Sequence, residues 1–295
     1  MLFAARKMEK IRQDYIGHCT AVDAPRLAAD VFPGDVTTDE NLAYFKDQNP
    51  SHTCDVHFPF NVTNSAEAFL VIHGGAFVYG NKELDKCFAM HLAHTAQVPV
   101  VNMNYTLLPE GNLTNILNEI IVCMNFISAR YGFKRFHLVG DSAGAYLALA
   151  TSLIVNSRHI SHAMWIFEKC KVTVESAGLI CGAYTLDKNS FPGCFFENSK
   201  EGASRLPDYA YDLTSVAARC PSLRIALVTG ESDFLREDNI HLKKLLEADG
   251  RTVPFYDAAN TDDRKMEHVF PIAHPDWPEG SKAIDLLVDN ALSRR

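Results

Sequence analysis

One serine of this chain lies in the run Gly140-Asp141-Ser142-Ala143-Gly144, at the point where an apolar segment ends. Residues 135–139 read Arg-Phe-His-Leu-Val and predict a buried strand, and residues 145–150 predict a helix that packs closely through small side chains. A strand that meets a helix through the pattern G-x-S-x-G forms a sharp turn, which exposes the serine hydroxyl at the positive end of the helix. We therefore expect Ser142 to act as a nucleophile.

A serine hydroxyl is a poor nucleophile at neutral pH, so it needs a base and an acid that orients the base. The segment 223–229 predicts a buried strand that ends at Gly230, and Asp233 follows three residues later. We predict Asp233 as the acid, with Glu231 and Asp238 as competitors. An aspartate after a strand is often only a helix cap, so this position is weak evidence by itself.

The predicted base is His268, in the segment Met-Glu-His-Val-Phe beyond the last predicted strand. It follows Asp233 by enough residues for an intervening helix and strand. His274, in a proline-rich stretch, is the alternative. The chain contains 12 histidines, so this prediction depends on the order of Ser142, Asp233 and His268 and on their positions after strands.

A glycine pair follows the predicted strand 69–72, in the loop His73-Gly74-Gly75-Ala76-Phe77. Glycines let the backbone approach a substrate and direct its N–H groups into a site. We expect N–H groups of this loop, and that of the residue after the nucleophile, to stabilise an oxyanion. The alternative is a tight turn without a ligand. We expect His73 to tie the loop through a side-chain hydrogen bond. The candidate oxyanion-hole residues are Gly74, Gly75, Ala76 and Ala143.

Strands and helices must position these residues, and the apolar periodicity predicts that the two kinds of element alternate along the chain. Such alternation indicates a mostly parallel sheet covered on both faces, with ligands at the carboxyl ends of its strands. Each candidate residue follows a predicted strand, as that rule requires. The predicted strands are 54–60, 69–72, 98–103, 135–139, 176–181, 223–229 and 253–256, and the predicted helices are 84–96, 113–127, 145–150, 237–248 and 281–292.

Composition limits the classes of function. The chain has 295 residues, 47% of them hydrophobic, which suits one α/β domain over residues 1–295 with a large core. A net charge of -8 argues against nucleic acid as a partner, because phosphate binding needs clustered Lys and Arg. We find no signal-peptide apolar region, no membrane-spanning segment and no metal-like spacing of the eight cysteines. We therefore expect a cytoplasmic protein without metal or cofactor, and leave open a homodimer.

Two segments depart from the alternation. Residues 1–50 are polar and favour helix, and residues 185–218 contain five aromatic side chains among several breakers. One interpretation of the second segment is a long surface loop. The alternative is that both segments form a cap over the active site and that the aromatics line an acyl pocket, because exposing so many aromatics would be costly.

Together these motifs resemble the hormone-sensitive-lipase-like branch of the α/β-hydrolase superfamily. The resemblance rests on four motifs that occur in the family's order: the loop HGGAF, residues 105–110, the elbow GDSAG and residues 231–236. The resemblance implies the α/β-hydrolase fold, a mostly parallel sheet with helices on both faces and a small helical cap. It also implies a serine carboxylesterase that needs no metal and no organic cofactor, with a small-molecule ester as its substrate.

Two positions differ from the family pattern. Ala76 replaces the third glycine of the loop and narrows the space beside the oxyanion hole, which disfavours esters of tertiary alcohols. Thr106 replaces the usual arginine after Tyr105, which removes a supporting polar contact.

The sequence predicts a serine carboxylesterase for short- to medium-chain esters. Two rivals stay open: an amidase, formamidase or peptidase with the same triad, because the leaving-group pocket cannot be read from sequence, and a non-catalytic small-molecule receptor on the same fold. The receptor interpretation would be better supported if His268 did not face Ser142.

Overall fold

A computed structural model describes residues 2–62, 64–197 and 206–292 of the chain. Its strands form one eight-stranded sheet in the order β1-β2-β4-β3-β5-β6-β7-β8. The pairs β1–β2 and β2–β4 are antiparallel, and all other neighbours are parallel. The strands are β1 Val36–Ala43, β2 Thr53–Pro59, β3 Glu67–Ile72, β4 Val100–Met103, β5 Arg135–Asp141, β6 Thr173–Ile180, β7 Arg224–Gly230 and β8 Phe255–Ala258.

Helices cover both faces of this sheet, so the predicted mostly parallel sheet with helices on both faces is confirmed. α3, α4 and α7 pack on one face, and α2 and α9 pack on the other. The helices in the described residues are α1 Leu2–Ala28, α2 Lys82–Ala96, α3 Leu113–Tyr131, α4 Ala143–Asn156, α5 Arg158–Ala163, α6 Thr214–Ala217, α7 Arg236–Ala248, α8 Phe270–Ala273 and α9 Pro278–Leu292, with short 3-10 helices at Pro50–His52, Gly193–Phe195 and Asp208–Ala210.

The central strands read as continuous apolar runs because both of their faces are buried. Five of the six residues of β3 are buried, and so are six of the seven residues of β5. α4 is buried from Ala143 to Ile154, so the small residues of its first turns let it lie directly against the sheet. This packing fixes the carboxyl ends of β3 and β5 at one edge of the sheet.

The structure adds elements that apolar periodicity did not predict. β1 is mostly exposed and polar, and it is held by its antiparallel pairing with β2 rather than by a buried face. α1 is a 27-residue helix whose apolar residues form no stripe, so its sequence favours helix without indicating what the helix covers. In the part of the chain that the structure describes, no helix combines the length and apolar character needed to cross a membrane.

Candidate active site

Ser142 lies in the turn between β5 and α4 with φ 50° and ψ -114°, a strained conformation for a residue with a side chain. The turn is too tight for side chains on its flanking glycines. A Cβ on Gly140 would lie 2.2 Å from the carbonyl oxygen of Gly144, and one on Gly144 would lie 1.9 Å from that of Ile72. The Ser142 N–H donates to the carbonyl of Ile180 at 2.8 Å, which anchors the turn to β6.

His268 joins Ser142 to Asp233. Its Nε2 lies 3.0 Å from Ser142 Oγ, and its Nδ1 lies 2.7 Å from Asp233 Oδ1. A carboxylate only accepts hydrogen bonds, so Nδ1 carries the proton and Nε2 of the neutral ring is free to accept the serine proton. The three side chains follow β5, β7 and β8, and they meet at the carboxyl edge of the sheet as the sequence predicts.

Asp233 is buried, and its oxygens have further donors. The Thr229 hydroxyl donates to Oδ2 at 2.7 Å, and the Leu235 N–H donates to Oδ1 at 3.0 Å. Burial alone would raise the pKa of Asp233, but the hydrogen bond and charge of His268, together with these two donors, hold that pKa below its ordinary value. The carboxylate is therefore ionised at neutral pH and orients the imidazole.

The competing acids and base make other contacts. Glu231 accepts a hydrogen bond from the Asn260 N–H at 2.8 Å. Asp238 lies in the first turn of α7. The ring of His274 stacks on Trp277 with centroids 3.7 Å apart. Of these candidates, only the Asp233–His268 pair is hydrogen-bonded to the serine of the elbow.

The loop after β3 turns sharply beside the serine. Gly75, Ala76 and Phe77 have φ of 97°, 50° and 63°. The carbonyl of Gly75 accepts hydrogen bonds from the N–H groups of Val78 and Tyr79, at 3.1 and 3.0 Å. A Cβ at Gly75 would lie 2.1 Å from the Tyr79 carbonyl oxygen, so only glycine fits there. The Gly75 carbonyl is thus used within the turn, and among the described residues neither the Gly75 nor the Ala76 N–H donates a hydrogen bond.

Gly74 differs from its neighbours. Its N–H lowers the pKa of the Asp141 carboxyl, and a Cβ on Gly74 would lie 2.3 Å from Asp141 Oδ2, so the Gly74 backbone lies directly against this carboxyl group. His73, buried behind it, bonds the Gly74 carbonyl through Nδ1 at 2.8 Å and stacks on Tyr105 with ring centroids 4.3 Å apart. The predicted side-chain hydrogen bond from His73 to the loop is therefore present. Burial lowers its pKa to about 4, so it stays neutral.

A cavity of about 390 Å³ opens beside Ser142 and His268. Gly74, Gly75, Asp85 and Asp141 are among the residues that line this cavity. α1 forms one wall, which agrees with a covering role for part of residues 1–50. The α1 side chains that line it are Tyr15, His18, Cys19, Val22, Asp23 and Arg26.

The aromatics of residues 185–218 differ from the expectation that they line this cavity. Phe196 is fully buried against Phe77, Tyr146 and Tyr211, with ring centroids 4.9 to 5.6 Å apart. This cluster fills the core behind the loop and α4 rather than a pocket. Phe191 does approach the cavity wall, where its ring centroid lies 5.4 Å from that of Tyr15. Residues 198–205 of this segment lie outside the described residues.

Thr106, which replaces the arginine of the family pattern, makes polar contacts of its own. Its N–H donates to Glu119 Oε2 at 2.7 Å, and its hydroxyl lies 3.1 Å from His52 Nε2. His52 Nε2 lies 3.4 Å from Glu119 Oε1, and its hydrogen bond to this carboxylate raises the pKa of His52. The expected loss of a polar contact is therefore compensated locally.

Sequence reasoning missed three residues near the serine. Thr229 is the last residue of the predicted strand before Gly230, so a search for polar groups at strand ends could have found it. Phe234 follows Asp233 directly, and its ring contacts His268. Asp85 lies in the first turn of α2, where an acidic residue usually only complements the helix dipole. That ordinary role gives no sign of burial.

Among the described residues, one group of side chains has metal-ligand spacing: Cys181, Asp233 and His268, with ligand atoms within 4.8 Å of one another. Two of these three are already hydrogen-bonded to each other at 2.7 Å. A metal ion there would have to break that bond, so the arrangement fits hydrogen bonding better than metal binding.

The chain is similar to known proteins over most of its length. Residues 69–271 match a family model described as alpha/beta hydrolase fold. Inhibited esterase B from Lactobacillus rhamnosis superposes with a TM-score of 0.82 at 21% identity, over 98% of this chain and 100% of that one. A bacterial heroin esterase superposes with a TM-score of 0.69 at 19% identity, over 94% of this chain and 90% of that one. An esterase from Pyrobaculum calidifontis superposes with a TM-score of 0.67 at 18% identity, over 97% of this chain and 92% of that one. At these identities the likeness establishes a shared fold.

Proposed function

Because the chain belongs to the α/β-hydrolase fold family, we propose that it is a serine carboxylesterase for short- to medium-chain carboxylic esters. The membership confirms the predicted superfamily and agrees with its hormone-sensitive-lipase-like branch. One observation carries the proposal: a continuous hydrogen-bonded path runs from Ser142 Oγ through His268 to Asp233. The esterases that share the fold support it at the level of reaction class.

In the proposed acylation, His268 Nε2 takes the proton of Ser142 as Oγ attacks the ester carbonyl carbon. Asp233 keeps the imidazole in the required tautomer and stabilises the imidazolium. The N–H groups of Gly75, Ala76 and Ala143 bind the tetrahedral oxyanion, and each such donor contributes roughly 3 kcal/mol to transition-state stabilisation. His268 then protonates the leaving alcohol, which departs and leaves Ser142 acylated.

Deacylation repeats these steps with water. His268 takes a proton from water, the hydroxide attacks the acyl carbonyl, and the same N–H groups bind the second oxyanion. His268 returns the proton to Ser142 Oγ as the carboxylic acid is released. Each turnover therefore consumes one ester and one water, and the enzyme returns to its starting state.

The receptor interpretation loses support from the geometry. A receptor has no need to keep a base at hydrogen-bonding distance from a serine, yet Nε2 lies 3.0 Å from Ser142 Oγ. The amidase interpretation differs only in the leaving group, which has to be protonated by the same His268. We rank the ester above the amide because all three structures compared above are esterases. A cytoplasmic location and a homodimer stay predictions.

The test is hydrolysis of p-nitrophenyl esters of increasing acyl length by wild type and Ser142→Ala, with matched anilides as amide controls. We expect activity on short and medium esters in wild type and none in Ser142→Ala, with both proteins showing the same circular dichroism spectrum. Ester turnover that survives in Ser142→Ala would overturn the mechanism. Faster turnover of the anilides would instead favour the amidase.

A further inference from the structure

Two buried carboxyl groups lie together beneath the oxyanion loop. Asp85 comes from the first turn of α2, and Asp141 is the last residue of β5, directly before Ser142. Their exposures are only 1% and 5%, and both line the cavity beside Ser142. Asp85 Oδ2 and Asp141 Oδ1 find no N–H or hydroxyl donor among the other described groups. Because buried carboxyl oxygens normally have donors, this pair must be stabilised in another way.

A proton shared between the two carboxyl groups supplies that stabilisation. The side chains of Asp85 and Asp141 hydrogen-bond each other, and two carboxylates cannot do so unless one is protonated. Burial raises the pKa of Asp85 well above its ordinary value, and Asp141 raises it further. Burial also raises the pKa of Asp141, to about 6, while the hydrogen bond from Asp85 opposes that shift. Asp85 is therefore the donor and Asp141 the acceptor.

The second oxygen of Asp141 contacts the oxyanion loop. A Cβ built on Gly74 would lie 2.3 Å from Asp141 Oδ2, so the carboxylate is pressed against the Gly74 backbone. The Gly74 N–H also lowers the pKa of this carboxyl group. A chain of close contacts thus runs from α2 through Asp85 and Asp141 to Gly74, next to the proposed donor Gly75.

We propose that Asp85 is a positioning residue for hydrolysis: as a neutral carboxylic acid it holds Asp141 against Gly74 and so fixes the direction of the Gly75 and Ala76 N–H groups. The inference rests on the proposed esterase function. Asp85 reaches the oxyanion donors only through Asp141 and the loop backbone. Its loss should therefore lower kcat more than it changes KM, because the oxyanion forms after substrate binds.

The arrangement predicts a pH dependence. Loss of the shared proton leaves two adjacent buried anions, which repel each other and release the loop. Arg26 is the permanent cation among the facing groups, but it is paired with Asp23 at 3.1 Å and compensates the second charge only in part. The titratable and charged groups that face the pair are Tyr15, Asp23 and Arg26 of α1, Tyr105 after β4, Cys181 after β6, and His268.

The experiment compares kcat and KM of wild type, Asp85→Asn and Asp85→Ala on one short-chain ester, from pH about 5 to about 10. Asn donates an N–H to Asp141 and cannot ionise. We expect Asp85→Asn to keep kcat within about threefold at neutral pH and to lose the alkaline decline seen in wild type. Asp85→Ala should lose about tenfold or more in kcat at every pH with little change in KM.

Three results would overturn the proposal. The first is that wild type and Asp85→Asn have the same pH profile of kcat. The others are that Asp85→Asn loses as much kcat as Asp85→Ala, or that Asp85→Ala keeps the wild-type kcat. Thermal unfolding of the same proteins across pH tests the shared proton without activity. The folded pair holds a proton that the unfolded chain has lost, so the wild-type Tm should fall with rising pH relative to Asp85→Asn. If wild type hydrolyses no ester, the proposed function fails and the positioning role falls with it, whereas the Tm difference still reports the proton.

Discussion

The ring of Phe234 lies over the imidazole of His268, with ring centroids 4.2 Å apart and planes inclined by 39°, although 75% of Phe234 is exposed to solvent. In the proposed mechanism His268 becomes an imidazolium at each proton transfer. The face of an aromatic ring attracts such a cation. A surface side chain is thereby connected to the charge that develops during hydrolysis.

Replacing Phe234 by Leu keeps an apolar side chain but removes the ring. We expect kcat/KM to fall about two- to fivefold, which corresponds to the roughly 0.5–1 kcal/mol of an exposed cation–π contact. Phe234→Tyr is the matched control and should retain wild-type kcat/KM. Steady-state kinetics on one short ester provides the measurement. Equal rates for Phe234→Leu and Phe234→Tyr would mean that the ring contributes only shape.

Replacing Thr229 by Val removes the hydroxyl that donates to Asp233 at 2.7 Å and keeps the side-chain volume. We expect the free energy of unfolding at neutral pH to fall by about 1.5–3 kcal/mol, because a buried carboxylate oxygen loses its donor. The pKa of Asp233 should rise, since that donor favours the ionised form.

The sign of the pH effect follows from that pKa. Asp233 has a lowered pKa in the folded protein, so its stabilising contribution is present above the ordinary pKa and is lost as pH falls through the folded pKa. The difference between wild type and Thr229→Val should therefore shrink in acid. Urea unfolding at several pH values measures it, with Thr229→Ser as the control that keeps the hydroxyl. A difference that stays constant with pH would contradict this linkage.

Replacing Ala76 by Gly removes the methyl group beside the proposed oxyanion donors. We expect the rate on a tert-butyl ester, relative to the ethyl ester of the same acid, to rise roughly tenfold, equivalent to about 1.4 kcal/mol of relieved crowding. Ala76→Ser retains the Cβ and should leave the ratio low. An unchanged ratio in Ala76→Gly would show that the crowding of bulky alcohols arises elsewhere in the cavity.

Arg26 fastens α1 over the cavity. Its guanidinium donates to the carbonyl of Leu84 at 3.2 Å and to that of Ile272 at 3.4 Å. We expect Arg26→Ala to raise KM about fivefold, or about 1 kcal/mol, with a smaller change in kcat, because one wall of the cavity loosens. Limited proteolysis should cut α1 faster in this variant. Arg26→Lys keeps the positive charge but lacks the guanidinium group, so its KM and its rate of proteolysis should lie between those of wild type and Arg26→Ala. If Arg26→Ala is cut no faster than wild type, Arg26 does not hold α1 over the cavity.

The sequence predicted the elbow at Ser142 and the existence of the central strands because both depend on local pattern. Apolar runs of the length of β3 and β5 suit strands buried on both faces, and glycines that flank a serine between strand and helix are typical of a nucleophile elbow. The pairing of Asp233 with His268 followed from the rule that loops after parallel strands meet at one edge. Each of these inferences needed only sequence spacing.

The remaining parts of the site depend on long-range packing that no spacing reports. α1 has no apolar stripe, so the cap that the sequence suggested for residues 1–50 did not specify which side chains of this helix face the cavity. Asp85 has the sequence position of an ordinary acidic residue in a first helical turn, and only the fold brings it to Asp141. One of the two interpretations placed the aromatics of residues 185–218 at a pocket because exposing them would be costly, but Phe196 is buried in the core. Apolar character predicts burial without specifying the neighbour.

α1 is held over the cavity largely by polar contacts: Arg26 to backbone carbonyls, and Asp23 to the Tyr79 hydroxyl at 2.9 Å. Because the apolar residues of α1 form no stripe, displacing this helix should expose no continuous apolar face to an oil droplet or micelle. Catalysis should therefore follow the concentration of monomeric dissolved substrate and saturate below the critical micelle concentration. The surface of an emulsion should give no sudden increase in rate.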